Sequence, residues 1–216
     1  MSKRNNPRAE HLRRALAQEA ARLMAEQGID DFLIAKRKAA ERLGATDISV
    51  LPRNTEIEAA LAEHHRLFKV DAHASALKDL RRTALRMMEL FYGFQPRLVG
   101  PVLNGTASAH SEISLHLFSD TAEHVSLRLF DRGVPHEAAE RRLRYEPGRI
   151  VSYPAFRFVA GEQAIDAVVF PEDGIRQSPS SPVDGKPMRR ADVAELRALL
   201  DSNLQKNLRS PQWSYS

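Results

Sequence analysis

The apolar residues of this chain change their period near Arg97, and that change constrains the fold more than any other feature. Before it, Leu12, Leu16, Leu23 and Met24, and later Leu77, Leu80, Leu85, Met88 and Phe91, recur at the spacing that lines one face of a helix. After it, segments such as Glu112 to Phe118 alternate in polarity, and Gln163 to Phe170 is almost continuously apolar over the length of a strand. Helices followed by a strand-rich part predict an α+β chain.

Local signals place the elements. Gly28 and Gly44 follow helical runs and can end them in a left-handed backbone conformation, which leaves a short helix from about Phe32 to Leu43. Thr55 with Glu58 and Asp120 with Glu123 have the spacing of capping boxes, the first opening a helix that carries Ile57, Leu61 and Leu67. A longer helix is expected over Ala72 to Tyr92, stopped by Gly93 to Pro96. The apolar run Leu98 to Leu103 reads as a strand, as do Glu112 to Phe118, His136 to Tyr145, Ile150 to Val159 and Gln163 to Phe170. Glu146-Pro147-Gly148 and Ala160-Gly161-Glu162 supply the intervening turns. Pro171 to Arg190 reads as an irregular exposed segment, and Ala191 to about Leu208 returns to helix with Asp192 at its start. The expected organisation is an N-terminal helical region over 1–95, a sheet-containing domain over 96–208 and a flexible tail over 209–216.

Composition narrows the chemistry. The 216 residues contain no cysteine, which excludes disulfides, zinc-thiolate sites, iron–sulfur clusters and thiol catalysis. It also removes the Pro-Cys-x-x-Cys half that a zinc deaminase needs beside His110-Ser111-Glu112. No apolar run is long enough to span a bilayer, and the first residues lack the apolar core of a secretory signal, so the expectation is a soluble cytoplasmic protein with no membrane partner; its composition gives the impression of a bacterial chain. A net charge of +4 and a pI near 9.6 are compatible with phosphate-bearing partners, and Arg13, Arg14, Lys36, Arg37 and Lys38 form basic groups on helices.

The segment most suggestive of chemistry joins Leu98-Val99-Gly100-Pro101 to the polar loop Asn104 to Ser111 and the strand that follows. On that strand Glu112, Ser114 and His116 share one face while Ile113, Leu115 and Leu117 share the other. This pattern resembles the polymerase-beta-like nucleotidyltransferase superfamily, in which a Gly-Ser or Gly-Gly turn precedes a strand reading Ser-Asp-hydrophobic-Asp. Here the matching residues read Gly100-Pro101 and Ser111-Glu112-Ile113-Ser114, so the resemblance is to a degenerate member. It implies a small mixed sheet with flanking helices over roughly Arg97 to Phe170, with a third carboxylate on a neighbouring strand, for which Asp166 has the expected apolar surroundings.

The resemblance further implies that Glu112 and Asp166 would be the catalytic and magnesium-binding carboxylates. Gly100, Ser111 and Ser114 would meet substrate. Read from the residues themselves, Arg176, Lys186, Arg189 and Arg190 bracket a stiff loop after the Asp166 strand and are placed to close over an anionic ligand. Ser114 stands where a bridging carboxylate is expected, and a hydroxyl neither cancels charge nor bridges two cations. Pro101 removes a backbone donor from the turn. The expected function is therefore a nucleotidyltransferase-like protein with weak or no catalysis that binds a nucleotide or nucleic acid, with magnesium required only if it is active. The alternatives are an active magnesium-dependent enzyme and a basic helical module for nucleic acid or a protein partner; a protein partner or homo-oligomer is not specified. The residues alone also permit a plain half-exposed strand at Glu112, Ser114 and His116. Asp166 is different: a carboxylate in so apolar a strand must find solvent, a hydrogen-bond donor or a cation.

Overall fold

The computed structural model describes residues 7–208, apart from 30, 46, 69 and 147; the tail expected over 209–216 lies outside the described residues. Helix α1 (Pro7–Gln27), α2 (Phe32–Leu43) and α3 (Asn54–Phe68) pack around Leu16, Ala20, Leu23, Ala35, Ala39, Ile57 and Leu61. Helix α2 has the expected bounds because both ends are marked chemically. Asp31 accepts hydrogen bonds from the amides of Leu33 and Ile34 at 2.7 and 2.9 Å, and Gly44 closes the helix at φ 64°. In α3 the cap lies two residues earlier than expected: the Arg53 amide donates to Glu56 Oε2 at 2.6 Å. Leu67 is exposed rather than part of the buried stripe.

Helix α4 (Val70–Leu90) turns Leu77, Leu80, Ala84 and Met88, with Phe91 after it, into the core of the sheet rather than that of the first three helices. The chain then forms β1 (Arg97–Val99), the one-turn helix α5 (Gly100–Asn104), β2 (Ile113–Phe118), α6 (Ala122–Asp131), β3 (His136–Tyr145), β4 (Arg149–Ala160), β5 (Gln163–Phe170) and α7 (Val193–Leu208). The strand expected over Leu98 to Leu103 stops at Val99. Gly100 adopts φ 72°, and Pro101, which cannot donate to a ladder, begins a helix instead. The pair Asp120 and Glu123 does not cap α6 as expected; the Asp120 carboxylate accepts from the Glu172 amide at 3.1 Å, and α6 begins after Thr121 with no side-chain cap. Asp192 does cap α7, accepting from the Glu195 amide at 2.9 Å.

The five strands form one mixed sheet in the order β1-β2-β5-β4-β3, with β2 and β5 parallel and the other neighbours antiparallel. Ile113, Leu115 and Leu117 of β2, Ile165, Ala167 and Val169 of β5, and Phe156 and Phe158 of β4 face the helices and complete the main core. The other face carries a smaller cluster of Phe118, Ala155, Val168 and Phe170. The segment after β5 contains a helical turn over Glu172–Arg176. It then reaches the β3 edge, where the Ser180 amide donates to the Arg144 carbonyl at 2.6 Å, and returns to pair Ala191 with Leu98 of β1. No helix among the described residues is long and apolar enough to cross a membrane.

Candidate functional site

Pairing register determines which polar groups share the sheet face away from the main core. Val99, Ser114, Asp166, Arg157 and Glu137 are successive cross-strand partners and form a single row from β1 to β3. Glu112 immediately precedes β2 on the same face, one pleat repeat from Ser114. Gly100 turns the chain beside this row: a Cβ at Gly100 would lie 3.7 Å from Ser114 Oγ. Asp166, far beyond Gly100, Glu112 and Ser114 in the sequence, is therefore brought beside them in the fold.

Both acids of this group are already engaged. Arg141 of β3 grips Asp166 with two bonds, Nε to Oδ2 at 2.9 Å and Nη2 to Oδ1 at 2.6 Å, and the Asp166 side chain is only 9% exposed. Arg141 starts opposite Tyr153, two residues along its strand from Ala139, and the small side chains of Ala139 and Ala155 in the intervening row leave room for it to reach Asp166. Arg157 donates to Glu112 Oε1 at 3.2 Å and is the ladder partner of Asp166. The Glu112 carboxylate beside it holds the Arg157 guanidinium more firmly protonated than an isolated arginine. A fork of two parallel N–H···O bonds is the strongest common geometry for such a pair.

These contacts do not fit magnesium. The ion needs oxygen ligands in near-octahedral array at about 2.0–2.1 Å, whereas both Asp166 oxygens accept from Arg141, Glu112 accepts from Arg157, and Ser114 brings no charge. Among the described residues no group of three or more histidine, aspartate or glutamate side chains is arranged to hold a metal.

One pleat along, His116 is 3% exposed and packs on Phe170 at 4.5 Å between ring centres. Arg190 donates from Nε to His116 Nδ1 at 3.0 Å and from Nη1 to the Gly174 carbonyl at 2.9 Å, with its charge over the Phe118 and Phe170 rings. Because a guanidinium cannot accept, His116 Nδ1 is the acceptor and its ring proton sits on Nε2. Burial, with a smaller contribution from the Arg190 charge, pushes the imidazole pKa well below its usual value, so His116 is neutral. Arg190 thus ties the sheet face to the loop that follows β5. Its neighbour Arg189 pairs with Glu195 in the first turn of α7. Lys186 is exposed in a hairpin and its amide donates to Asp184 Oδ1 at 3.1 Å. Ser111 is 3% exposed, and its hydroxyl accepts from the Ser108 amide at 3.0 Å, which ties the loop before β2.

The row opens at its Glu112 end into a shallow groove of about 430 Å³ walled by Pro135, His136, Glu137, Phe158, Val159, Ala164 and Ile165, with Arg157 at its rim. His136 is fixed there by two bonds: Nδ1 donates to the Val134 carbonyl at 3.0 Å, and Nε2 accepts from the Ser126 hydroxyl at 2.7 Å. Arg141 was visible in the sequence only as part of the basic pair Arg141-Arg142, and Arg157 carried no signal at all. Alternation along β3 and β4 puts both on the Asp166 face, but only the register reveals that they converge. No protein-family model matches the chain, and no curated protein matches it.

Proposed function

We propose that this chain is a nucleotidyltransferase-like protein with a degenerate site, which binds a nucleotide or a nucleic-acid end with weak or no catalysis. The observation that supports this reading is the row itself. The Gly100 turn lies against Ser114, and Ser114 stands beside Asp166 on a parallel strand, an arrangement that combines a phosphate-approach turn with an acidic strand pair. The salt bridges of Arg141 and Arg157 neutralise the two carboxylates that would otherwise repel a polyphosphate. A ligand phosphate then meets no uncompensated charge from Glu112 or Asp166 and needs no metal to approach them.

The test is calorimetry of the full chain with each nucleoside triphosphate and with a short oligonucleotide, each with magnesium and with chelator, alongside an assay for pyrophosphate release. The expected result is binding that survives chelation and negligible release. Magnesium-dependent release abolished by Asp166→Asn would replace this reading with the active enzyme. Absence of affinity for every nucleotide and oligonucleotide would replace it with a protein-interaction module.

A further inference from the structure

We propose that the guanidinium groups of Arg141 and Arg157 are the resident cations of this acidic row and keep divalent ions out of it. This inference deepens the functional reading by naming the regulation of the same site, but it stands on side-chain geometry rather than on nucleotide affinity. The two can therefore fail separately.

The argument begins with lone pairs. A carboxylate presents its best acceptor directions in its own plane, and a guanidinium fork uses one on each oxygen. Arg141 takes both oxygens of Asp166 in this way, at 2.9 and 2.6 Å. Magnesium, manganese or calcium would compete for those same directions. The Arg141 side chain is 30% exposed and that of Asp166 9%, so pulling them apart strands a partly buried carboxylate unless the incoming ion replaces every contact. Arg157 stands between the two acids, bonded to Glu112 and paired in the ladder with Asp166, and its charge repels a second cation from either one.

The arginines also come from the appropriate direction. Both project from the strands on the β3 side of β5, while Ser114 and the Gly100 turn close the row from the β1 side. With alanines at 139 and 155 between Arg141 and its target, the long side chain has a clear path across the sheet. A solvated surface arginine needs neither the alanine gap nor the fork.

Manganese titration of the full chain, read as loss of the free-ion electron paramagnetic resonance signal, tests the inference. The unaltered chain should show no saturable site that Asp166→Asn removes. The double variant Arg141→Gln with Arg157→Gln should gain a site on the order of tenfold tighter than any in the parent, and adding Asp166→Asn should abolish it. Manganese bound by the unaltered chain and lost in Asp166→Asn overturns the inference, as does a folded double variant with no gain. If circular dichroism finds the double variant unfolded, Arg141→Lys decides, because a point charge cannot hold both oxygens: gained manganese affinity supports the inference and unchanged affinity overturns it. Gained manganese binding without any nucleotide affinity overturns the proposed function and leaves the resident cations in place.

Discussion

Replacing Arg81 by methionine should lower the stability of the sheet-containing part of the molecule by about 2–3 kcal/mol, the balance of two opposing effects. Arg81 lies on α4, is 6% exposed, and donates from Nε to the Val102 carbonyl and from Nη2 to the Leu103 carbonyl, each at 3.0 Å. These are end carbonyls of α5, a helix too short to satisfy them internally. Each bond to a charged donor contributes about 1.5–3 kcal/mol. Against that gain stands the burial of a cation for which no carboxylate partner is found among the described residues. Burial, with help from the nearby Arg189 charge, pulls its pKa below the usual arginine value. Methionine fills much of the volume and removes the buried charge, so only part of the gross bond energy is lost. Urea denaturation followed by far-UV circular dichroism measures the difference. Arg81→Lys, which keeps the charge but not the fork, should fall about half as far. A methionine variant within about 0.5 kcal/mol of the parent would refute the reasoning, since the two carbonyls would then need no donor.

Three further outcomes can be checked. His116 is neutral in the fold because its folded pKa is depressed, so its contribution is whole above the ordinary value of 6.5 and is lost as pH falls from there through the folded pKa. In that window His116→Gln should remove up to about 1.4 kcal/mol per pH unit from the slope of stability against pH, and an unchanged slope would count against the burial argument. Gly100→Ala should cost about 1–2 kcal/mol from backbone strain at φ 72°, because the added Cβ meets Ser114 Oγ at an ordinary contact distance; a neutral result in denaturation would mean that the turn relaxes. Ser126→Ala should cost about 0.5–1.5 kcal/mol by freeing His136 Nε2, read by the same denaturation assay, and no loss would mean that water serves that nitrogen equally well.

Much of the fold was legible in the sequence because its signals are local. The bounds of α2 and β5 follow from a cap and an apolar stretch, each contained in its own segment, and the end of β3 from the turn residues that follow Tyr145. Leu98 to Leu103 misleads because an apolar run does not reveal where a glycine turns the backbone, and valine and leucine suit the short helix as well as the strand. The capping pairs mislead in the same way: the spacing at Asp120 and Glu123 is right, but Asp120 is recruited by Glu172, 52 residues away. The demand that Asp166 find a donor or a cation was readable from its apolar neighbours. The identity of that partner was not, because Arg141 lies 25 residues away and reaches Asp166 only through the register of three strands. Arg190 was readable as a charge after a stiff loop, yet its partner His116 is 74 residues distant.

The packing around Leu16 and Ile57 shares no residue with the packing around Leu115 and Ile165. Contacts between the two halves include the Asn54 side-chain Nδ2, which donates to the Pro182 carbonyl at 2.6 Å, and the packing of α3 against α4. Heat should therefore be absorbed in two steps during calorimetric melting, one for each cluster. Any molecule seated beside Ser114 would raise the transition of its own cluster and leave the other where it was, so a thermogram would report which half of the chain a ligand has found.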